Sequence, residues 1–343
     1  MTLDELVAAF RQGRVLAPAG PVRPESVRIT RQSVLVTTRA TVLKLRRPRR
    51  AGSWDQASDA VRTTLAQRER VLGSRIAPQV YLGPVQLVGR EDGTIVLEVS
   101  TGSDADTGEP VVAMNRLPDD RRADQVLVTS EPPRDAFAAV AMAIARYHDH
   151  AAAHWGDDGP GRPERALQAW TAAIERLQQA PELPVAASAL ARLDADTRDL
   201  LTHIARPLAH RVIEGRMREG HGGLALEHIF LTDPPGFIDP GDATDDTRFV
   251  DTAEDIARFA LELAAVTPLA FAERVIDTYA TAARDLTLRR VLPFYVRLAA
   301  VRAAHEALDE ARDADGVADP AECREAARFF VTQAIRESSR LSL

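Results

Sequence analysis

The sequence is poor in cysteine, asparagine and lysine, and each shortage is informative. Its 343 residues include one cysteine, Cys323, so neither an internal disulfide nor a zinc site built from several thiolates holds the fold. Asparagine also occurs once, at Asn115. Of the 43 basic residues all but Lys44 are arginine, a bias typical of a GC-rich genome. Stability must therefore come from a packed hydrophobic core.

Long apolar runs and long basic runs are missing as well. The longest stretch without a charge, 76–89, has fourteen residues, and 136–145 and 263–272 have ten, so none reaches the length of about twenty that a membrane-spanning helix needs. The amino terminus carries Asp4 and Glu5, where a signal peptide would be basic and then apolar. A formal net charge of −7, with its longest basic run at 46–50, is unsuited to binding duplex nucleic acid. We therefore expect a cytoplasmic protein with neither membrane nor nucleic acid as its partner.

Hydrophobic periodicity divides the chain near Asp119. Before this point β-branched residues alternate or cluster at short spacing, which predicts strands at 27–30, 33–37, 40–45, 79–82, 85–88, 94–99 and 110–115. Helical spacing interrupts them at 3–10 and 55–74. After it, alanine-rich segments predict helices at 134–153, 165–179, 186–214, 252–266, 270–283, 292–311 and 320–338. The fold class is therefore α+β, with a small mixed sheet followed by a helical remainder.

One short hairpin interrupts the helices, over 220–241. Its two apolar segments, 229–231 and 236–238, flank a Pro-Pro turn, and histidines and aspartates surround them. Loops that carry such side chains on a helical scaffold are where binding and catalysis concentrate.

Five features occur in an order that resembles a known family. Lys44 ends a strand, Glu69 follows on a helix, His221 and Gly222 open the hairpin loop, and Asp239 ends it. With the segments 40–48, 76–83, 251–257 and 292–295, they resemble the aminoglycoside-phosphotransferase-like branch of the protein-kinase-like superfamily. The resemblance covers roughly 27–330. Within this branch, the sequence is similar in particular to bacterial modules that often precede a P-loop ATPase domain. The sequence contains no Walker A string, and we expect no such second domain.

The resemblance implies a bilobal protein-kinase-like fold. An N-lobe over 1–112 would hold the amino-terminal helix, an antiparallel sheet and one αC-like helix. A hinge would follow over 113–119, and a helical C-lobe over 120–343 would carry the catalytic-loop hairpin 220–241.

The resemblance also implies ATP and Mg²⁺ as cofactors. Lys44, Glu69 and Asp239 would serve the nucleotide phosphates and the metal, and Met114 would mark the hinge beside the adenine edge. The turn 37–39 would cover the phosphates without the glycines of protein kinases. His221 would be a scaffold residue, and Asp255 would bond the catalytic-loop backbone.

The departures from the family fall in the catalytic loop. Gly223 stands where the family has the aspartate that accepts the proton of the attacking hydroxyl, and Ala225 stands where a second histidine is usual. His228 replaces the metal-binding asparagine. Imidazole is a poor Mg²⁺ ligand, so His228 is either a transition-metal ligand or a neutral replacement packed beside the hairpin. The substitute bases would be Glu227, Asp242 or the substrate itself.

Two interpretations of single residues stay open on sequence grounds. Glu69 could be a solvated helix residue, and Asp239 could belong to an acidic loop that continues through Asp242. A lysine retained among so many arginines favours a site where a compact ammonium contacts phosphate oxygens, although one lysine could also survive by chance.

The predicted function is a pseudokinase that binds a nucleotide, transfers phosphate poorly and presents a surface to a protein partner. The alternative is an active ATP-dependent phosphotransferase, or nucleotidyltransferase, with a small-molecule acceptor and a substitute base. A third hypothesis is that the protein binds a phosphorylated metabolite and no nucleotide.

Overall fold

The computed structural model describes residues 2–48, 50–51, 54–55, 58–100, 108–155, 162–241, 248–313 and 318–340. They fall into two compact units. The N-terminal unit comprises Met1–Asp119 and also Gly236–Asp242, and the helical unit comprises Asp120–Pro235 and Ala243–Leu343. The segment that carries Asp239 therefore belongs to the N-terminal unit although it lies far away in sequence.

A mixed eight-stranded sheet forms the framework of the N-terminal unit, in the order β2-β1-β9-β8-β10-β5-β4-β3. Only β1 and β9 run parallel in it. The strands of this part of the chain are β1 (Val15–Ala17), β2 (Gly20–Pro21), β3 (Ser26–Ile29), β4 (Ser33–Thr37), β5 (Thr41–Arg46), β6 (Arg50–Ala51), β7 (Trp54–Asp55), β8 (Val85–Gly89), β9 (Ile95–Val99) and β10 (Glu109–Asn115). β6 and β7 pair separately from the large sheet.

Two differences from the predicted strands have local causes. The strand predicted over 79–82 is wrong, because residues 78–80 form a turn in which the Val80 N–H donates to the Ala77 carbonyl at 2.9 Å. Only Tyr81 makes a bridge there, to Met114. β1 and β2 were not predicted, since strands of three and two residues are too short to show alternation.

The two faces of β5 have different partners. Leu43 and Leu45 point into a core that they share with Val34 and Val36 of β4 and with the buried face of α1 (Leu3–Arg11). Because successive strand residues alternate between faces, Lys44 and Arg46 point the other way, and both contact α2 (Asp59–Ile76). The sheet thus separates an apolar core from a charged layer.

The helical unit confirms the helical character predicted after residue 119. Its helices are α3 (Ala123–Thr129), α4 (Arg134–His150), α5 (Pro163–Gln178), α6 (Ala187–Ile213), α7 (Thr252–Val266), α8 (Leu269–Ala282), α9 (Leu288–Ala311) and α10 (Pro320–Arg340). The short strands of the hairpin region and its surroundings are β11 (Met217–Glu219), β12 (Ile229–Phe230), β13 (Gly236–Phe237) and β14 (Phe249–Asp251), with β13 in the N-terminal unit. In the described ranges, no helix combines the length and the apolar character needed to cross a bilayer.

A buried ion cluster joins several elements of the helical unit. Arg211 of α6 is completely buried and donates to both oxygens of Asp251, at 2.7 and 2.8 Å. It also donates to Asp285, at 2.6 and 2.8 Å. Burial alone would raise the pKa of Asp285, but Arg211 outweighs it and holds that pKa below its usual value. Because Asp251 caps α7 by accepting from the Ala253 N–H at 2.7 Å, the cluster fixes where α7 begins.

We predict that Arg211→Met strongly destabilises the protein. The substitution leaves two buried carboxylates without their cation, which costs about 3–5 kcal/mol of unfolding free energy. Urea unfolding measures this loss. The matched control is Arg289→Gln, whose ion pair with Asp277 is 47% and 60% exposed and should change stability by less than about 1 kcal/mol. Equal small losses in both variants would contradict the assignment.

Candidate functional site

Lys44 lies at the centre of a charged cluster within the N-terminal unit. Its side chain is buried, and Nζ donates to Glu69 Oε1 at 2.9 Å and to Asp239 Oδ1. Strand β5, helix α2 and the segment after β13 each supply one member. The structure therefore brings together three residues that the sequence analysis placed at the nucleotide phosphates and the metal.

Arg46, the fourth member of the cluster, was not predicted from the sequence. Its guanidinium donates to Glu69 Oε2 at 2.7 Å and is 2% exposed. Arg46 lies two residues beyond Lys44 on β5, so both side chains point to the same face. That spacing was the available signal, but arginine is so common in this chain that one more arginine did not stand out.

The cluster keeps Lys44 in its charged form. Burial alone would lower the pKa of Lys44, but Asp239 and Glu69 outweigh it and raise that pKa above its usual value. The two carboxylates differ in access to solvent, since the Glu69 side chain is 1% exposed and the Asp239 side chain is 46% exposed. Glu69 is therefore an internal member of the cluster, and Asp239 is its accessible carboxylate.

Tyr81 and Gly73 support Asp239. The Asp239 backbone lies in the left-handed region, with φ of 57°, and its N–H donates to the Tyr81 hydroxyl at 3.0 Å. Burial, and then the nearby carboxylates, raise the pKa of Tyr81 well above its usual value, so the phenol is neutral. The ring lies against α2 at Gly73, where a Cβ would come within 2.1 Å of the ring carbon Cε2.

The helix predicted over 55–74 is found as α2, Asp59–Ile76, which passes through Gly73 without ending there. The glycine marks a close approach by Tyr81 rather than a stop. A sequence pattern does not distinguish these two uses of glycine, because only tertiary packing brings the ring there.

The predicted hinge and the predicted phosphate turn lie at the ends of interior strands of the same sheet. Met114 is buried in β10 opposite Val42, and the next two residues use their backbone N–H groups inside the unit. Asn115 donates to the Val80 carbonyl at 2.7 Å and Arg116 donates to the Ala40 carbonyl at 2.8 Å. In the turn 37–39 the Thr38 N–H donates to the Thr41 carbonyl at 2.8 Å, which closes the connection between β4 and β5.

In the helical unit, Asp255 holds the backbone of the loop, as the resemblance implies. Its Oδ2 accepts from the His221 N–H at 2.7 Å and its Oδ1 accepts from the Gly222 N–H at 2.6 Å. Because a carboxylate only accepts, Nε2 of His148 donates to Asp255 Oδ2 at 2.9 Å. Burial alone would raise the pKa of Asp255, but these bonds and the histidines outweigh it and lower that pKa. The loop backbone is therefore fixed by a buried, ionised aspartate.

The positions that depart from the family lie in the same loop. The carbonyl of Gly223 accepts from Nδ1 of His228 at 2.7 Å, so this nitrogen carries the proton. Glu227 is exposed on the 3₁₀ turn Leu226–His228. Asp242 lies outside the described residues. The functions predicted for these side chains stay predictions.

The two predicted metal ligands, Asp239 and His228, differ in how well they suit Mg²⁺. In the part of the chain that the structure describes, no group of three or more His, Cys, Asp or Glu side chains could hold a metal ion. Mg²⁺ in nucleotide sites needs only one or two carboxylates, because phosphates and water complete its shell. An accessible carboxylate beside a buried ammonium, as at Asp239 and Lys44, fits that requirement. The imidazole of His228 does not fit the oxygen preference of a second Mg²⁺.

Curated relatives are similar to this chain over most of its length. Uncharacterized proteins of Mycobacterium bovis and Mycobacterium tuberculosis are 26% identical over 287 residues, which cover 82% of this chain and 55% of each relative. The chain thus spans about half the length of the curated relatives it matches. No protein-family model matches the chain.

Two solved structures align with most of this chain. An aminoglycoside phosphotransferase from Alicyclobacillus acidocaldarius aligns with a TM-score of 0.50 and 11% identity, over 93% of this chain and 91% of that structure. A choline/ethanolamine kinase family protein from Mesorhizobium loti aligns with a TM-score of 0.48 and 14% identity, over 99% of this chain and all of that one. The first alignment confirms the protein-kinase-like α+β fold and the resemblance to aminoglycoside phosphotransferases at the level of the fold.

We predict that Gly73→Ala disturbs the support of Asp239. The new Cβ would collide with the Tyr81 ring, so the ring or α2 must shift, at a cost of about 1–3 kcal/mol in unfolding free energy. Urea unfolding measures the cost. Gly83→Ala is the control, because no heavy atom lies within 4 Å of a Cβ at that glycine. A Gly73→Ala protein as stable as the control would show that the contact relaxes freely.

Proposed function

We propose that this protein is a kinase-like nucleotide-binding protein with impaired phosphoryl transfer, a pseudokinase. The observation that carries the proposal is the buried, charged Lys44, held between Glu69 and Asp239. In this fold the corresponding lysine and helix glutamate form the pair that serves the nucleotide phosphates. Two observations therefore support nucleotide binding: the confirmed fold, and the presence of Lys44 and Glu69 at the sequence positions where this fold has that pair.

The residue type at position 44 adds support. A compact ammonium can meet phosphate oxygens where a wide planar guanidinium would overfill the space. Arg46 already occupies the side of Glu69 away from Lys44, with its NH2 2.7 Å from Oε2. The cluster thus contains both a guanidinium and an ammonium. The ammonium, on Lys44, is the cation that also contacts the accessible Asp239. This arrangement favours a specific requirement for Lys44 over chance survival.

Mg²⁺ is the proposed metal, with Asp239 as its protein ligand. When bound, the ion would neutralise charge on the nucleotide phosphates. Asp239 suits this function because its side chain is 46% exposed, whereas Glu69 is enclosed. Met114 and the neighbouring backbone are proposed to border the adenine.

Impaired transfer is proposed because Gly223 has no side chain that could accept a proton. A positioned general base typically contributes about 10²–10⁴-fold to a rate, so its loss slows the reaction without necessarily abolishing it. His228 donates Nδ1–H to the Gly223 carbonyl, an arrangement unlike that of a Mg²⁺-binding asparagine. In this proposal the protein acts by presenting a surface to a protein partner.

The alternative function is an active phosphotransferase with a small-molecule acceptor. The exposed Glu227, on the 3₁₀ turn that also carries His228, supports this alternative because it offers a carboxylate four residues after Gly223. The solved structure with the same fold that is named an aminoglycoside phosphotransferase is consistent with it.

We predict that the protein binds ATP in a Mg²⁺-dependent manner and that Lys44→Ala abolishes binding. Calorimetric titration with and without Mg²⁺ tests this directly. Lys44→Arg should also weaken binding, since it keeps the charge but changes its shape, and Asp239→Asn should remove the Mg²⁺ dependence. Arg90→Gln, which changes a half-exposed residue paired with Glu98, is the charge-matched control. No binding by the wild type at millimolar ATP would refute the proposal and direct attention to phosphorylated metabolites.

We predict that restoring the family residues raises ATP turnover. The double variant Gly223→Asp/His228→Asn should hydrolyse ATP at least about tenfold faster than the wild type, because it regains a proton acceptor and an oxygen ligand. A coupled ADP-release assay measures the rates. A wild-type rate of about 1–100 s⁻¹ with any acceptor, typical of active kinases, would overturn the pseudokinase assignment in favour of the alternative.

A further inference from the structure

One buried tyrosine contacts both the predicted hinge and the accessible carboxylate of the Lys44 cluster. From its contacts we infer that Tyr81 is a positioning residue for Mg²⁺: its hydroxyl holds the Asp239 backbone in the conformation that places the carboxylate beside Lys44, where a metal would bind. This inference rests on the proposed function, because the metal is the one that accompanies a nucleotide.

The backbone of Asp239 benefits from a partner of this kind. With φ of 57° it lies in the left-handed region, which is less favourable for an aspartate than for glycine. The Asp239 side chain is 46% exposed, so neighbouring residues enclose only about half of it. The backbone N–H donates to the Tyr81 hydroxyl at 3.0 Å, an ordinary hydrogen-bond length. This bond therefore stabilises a conformation that an aspartate rarely adopts by itself.

Tyr81 is itself held by two elements of the N-terminal unit. Its backbone forms a bridge with Met114 of β10, and the next residue, Leu82, donates its N–H to the Ala113 carbonyl at 2.9 Å. Its ring lies on α2 at Gly73, where there is no room for a Cβ. Tyr81 is only 6% exposed. The position of the hydroxyl is thus fixed by a strand and a helix, and rigid support of this kind is what a precisely oriented metal ligand needs.

The ring and the hydroxyl of Tyr81 have separable functions. The ring fills the space against α2, and phenylalanine would fill it equally. Only the hydroxyl accepts from the Asp239 N–H. Loss of a residue that orients a metal ligand typically lowers metal affinity by about 10–100-fold. Lys44 has its own bond to Glu69, so binding of a metal-free nucleotide should not need the hydroxyl.

Calorimetric ATP titrations with Mg²⁺ and with EDTA test the inference on the wild type, Tyr81→Phe, Asp239→Asn and the double variant. We expect Tyr81→Phe to weaken Mg-ATP binding about tenfold and metal-free ATP binding by less than about twofold. In the Asp239→Asn background Tyr81→Phe should change Mg-ATP binding by less than about twofold, because the carboxylate that it positions is gone. A merely structural function of Tyr81 would not produce this split between the two conditions.

The matched control is Tyr147→Phe, which removes a buried hydroxyl of the helical unit that donates to the Glu219 carbonyl at 3.1 Å. It should leave both ATP constants unchanged. Where metal-free ATP binds too weakly to measure, Mn²⁺ titrated into the protein with ADP and followed by EPR gives the same comparison. The dissociation constant of Mn²⁺ should rise about tenfold in Tyr81→Phe and stay unchanged in Tyr147→Phe.

The outcomes separate the inference from the function beneath it. An unchanged Mg-ATP constant for Tyr81→Phe, or equal weakening with and without metal, overturns the positioning of Asp239 by Tyr81 and leaves the nucleotide site intact. A wild type that binds no ATP refutes the proposed function, and the inference with it. Thermal unfolding establishes which variants are folded. If Tyr81→Phe does not fold, Gly73→Ala, which displaces the ring but keeps the hydroxyl, takes its place with the same expected split.

Discussion

Glu69 is the constraint on which the candidate site depends, because a buried carboxylate must be paired. Two cations of one strand meet this need, and both reach Glu69 because a strand returns every second side chain to the same face. The other face of that strand is apolar and packs on α1, and this packing fixes the direction in which Lys44 and Arg46 point. Lys44 then extends the cluster to the accessible Asp239. A substitution in the apolar core would therefore disturb the charged layer as well.

The same physical rule organises the helical unit with different residues. Arg211 satisfies two buried aspartates and fixes the start of α7, and Asp255 on that helix satisfies the backbone of the loop that begins at His221. The start of the loop is thus held by Asp255, although the loop has glycine at position 223. A decaying site would be expected to lose its support as well as its chemistry. This contrast between a supported loop backbone and a glycine at position 223 is the ground on which a binding function is proposed in preference to a decayed enzyme.

Much of this arrangement could be predicted from the sequence, but not all of it. The α+β division, most strands and the helices after residue 119 follow from hydrophobic period, because local alternation and helical spacing record which face is buried. That Lys44, Glu69 and Asp239 belong to one site was predicted from their order and spacing, which resemble those of a known family. Tyr81 and Gly73 could not be found this way, since the packing of a ring on a helix leaves no periodic signal. The strand predicted over 79–82 was likewise replaced by a turn at 78–80, in which the Val80 N–H donates to the Ala77 carbonyl.

By itself, the sequence determined the chemistry that is available: one lysine, no carboxylate at position 223, and a histidine at position 228. It also determined the fold, through patterns that each act within a few residues. Only the tertiary structure decided which charges share a partner. Arg46 and Lys44 became joint partners of Glu69 because α2 packs over that face of β5, and Asp239 joined them from 195 positions away. Contacts of that kind depend on burial and close packing between distant segments, and neither property is written in local residue order.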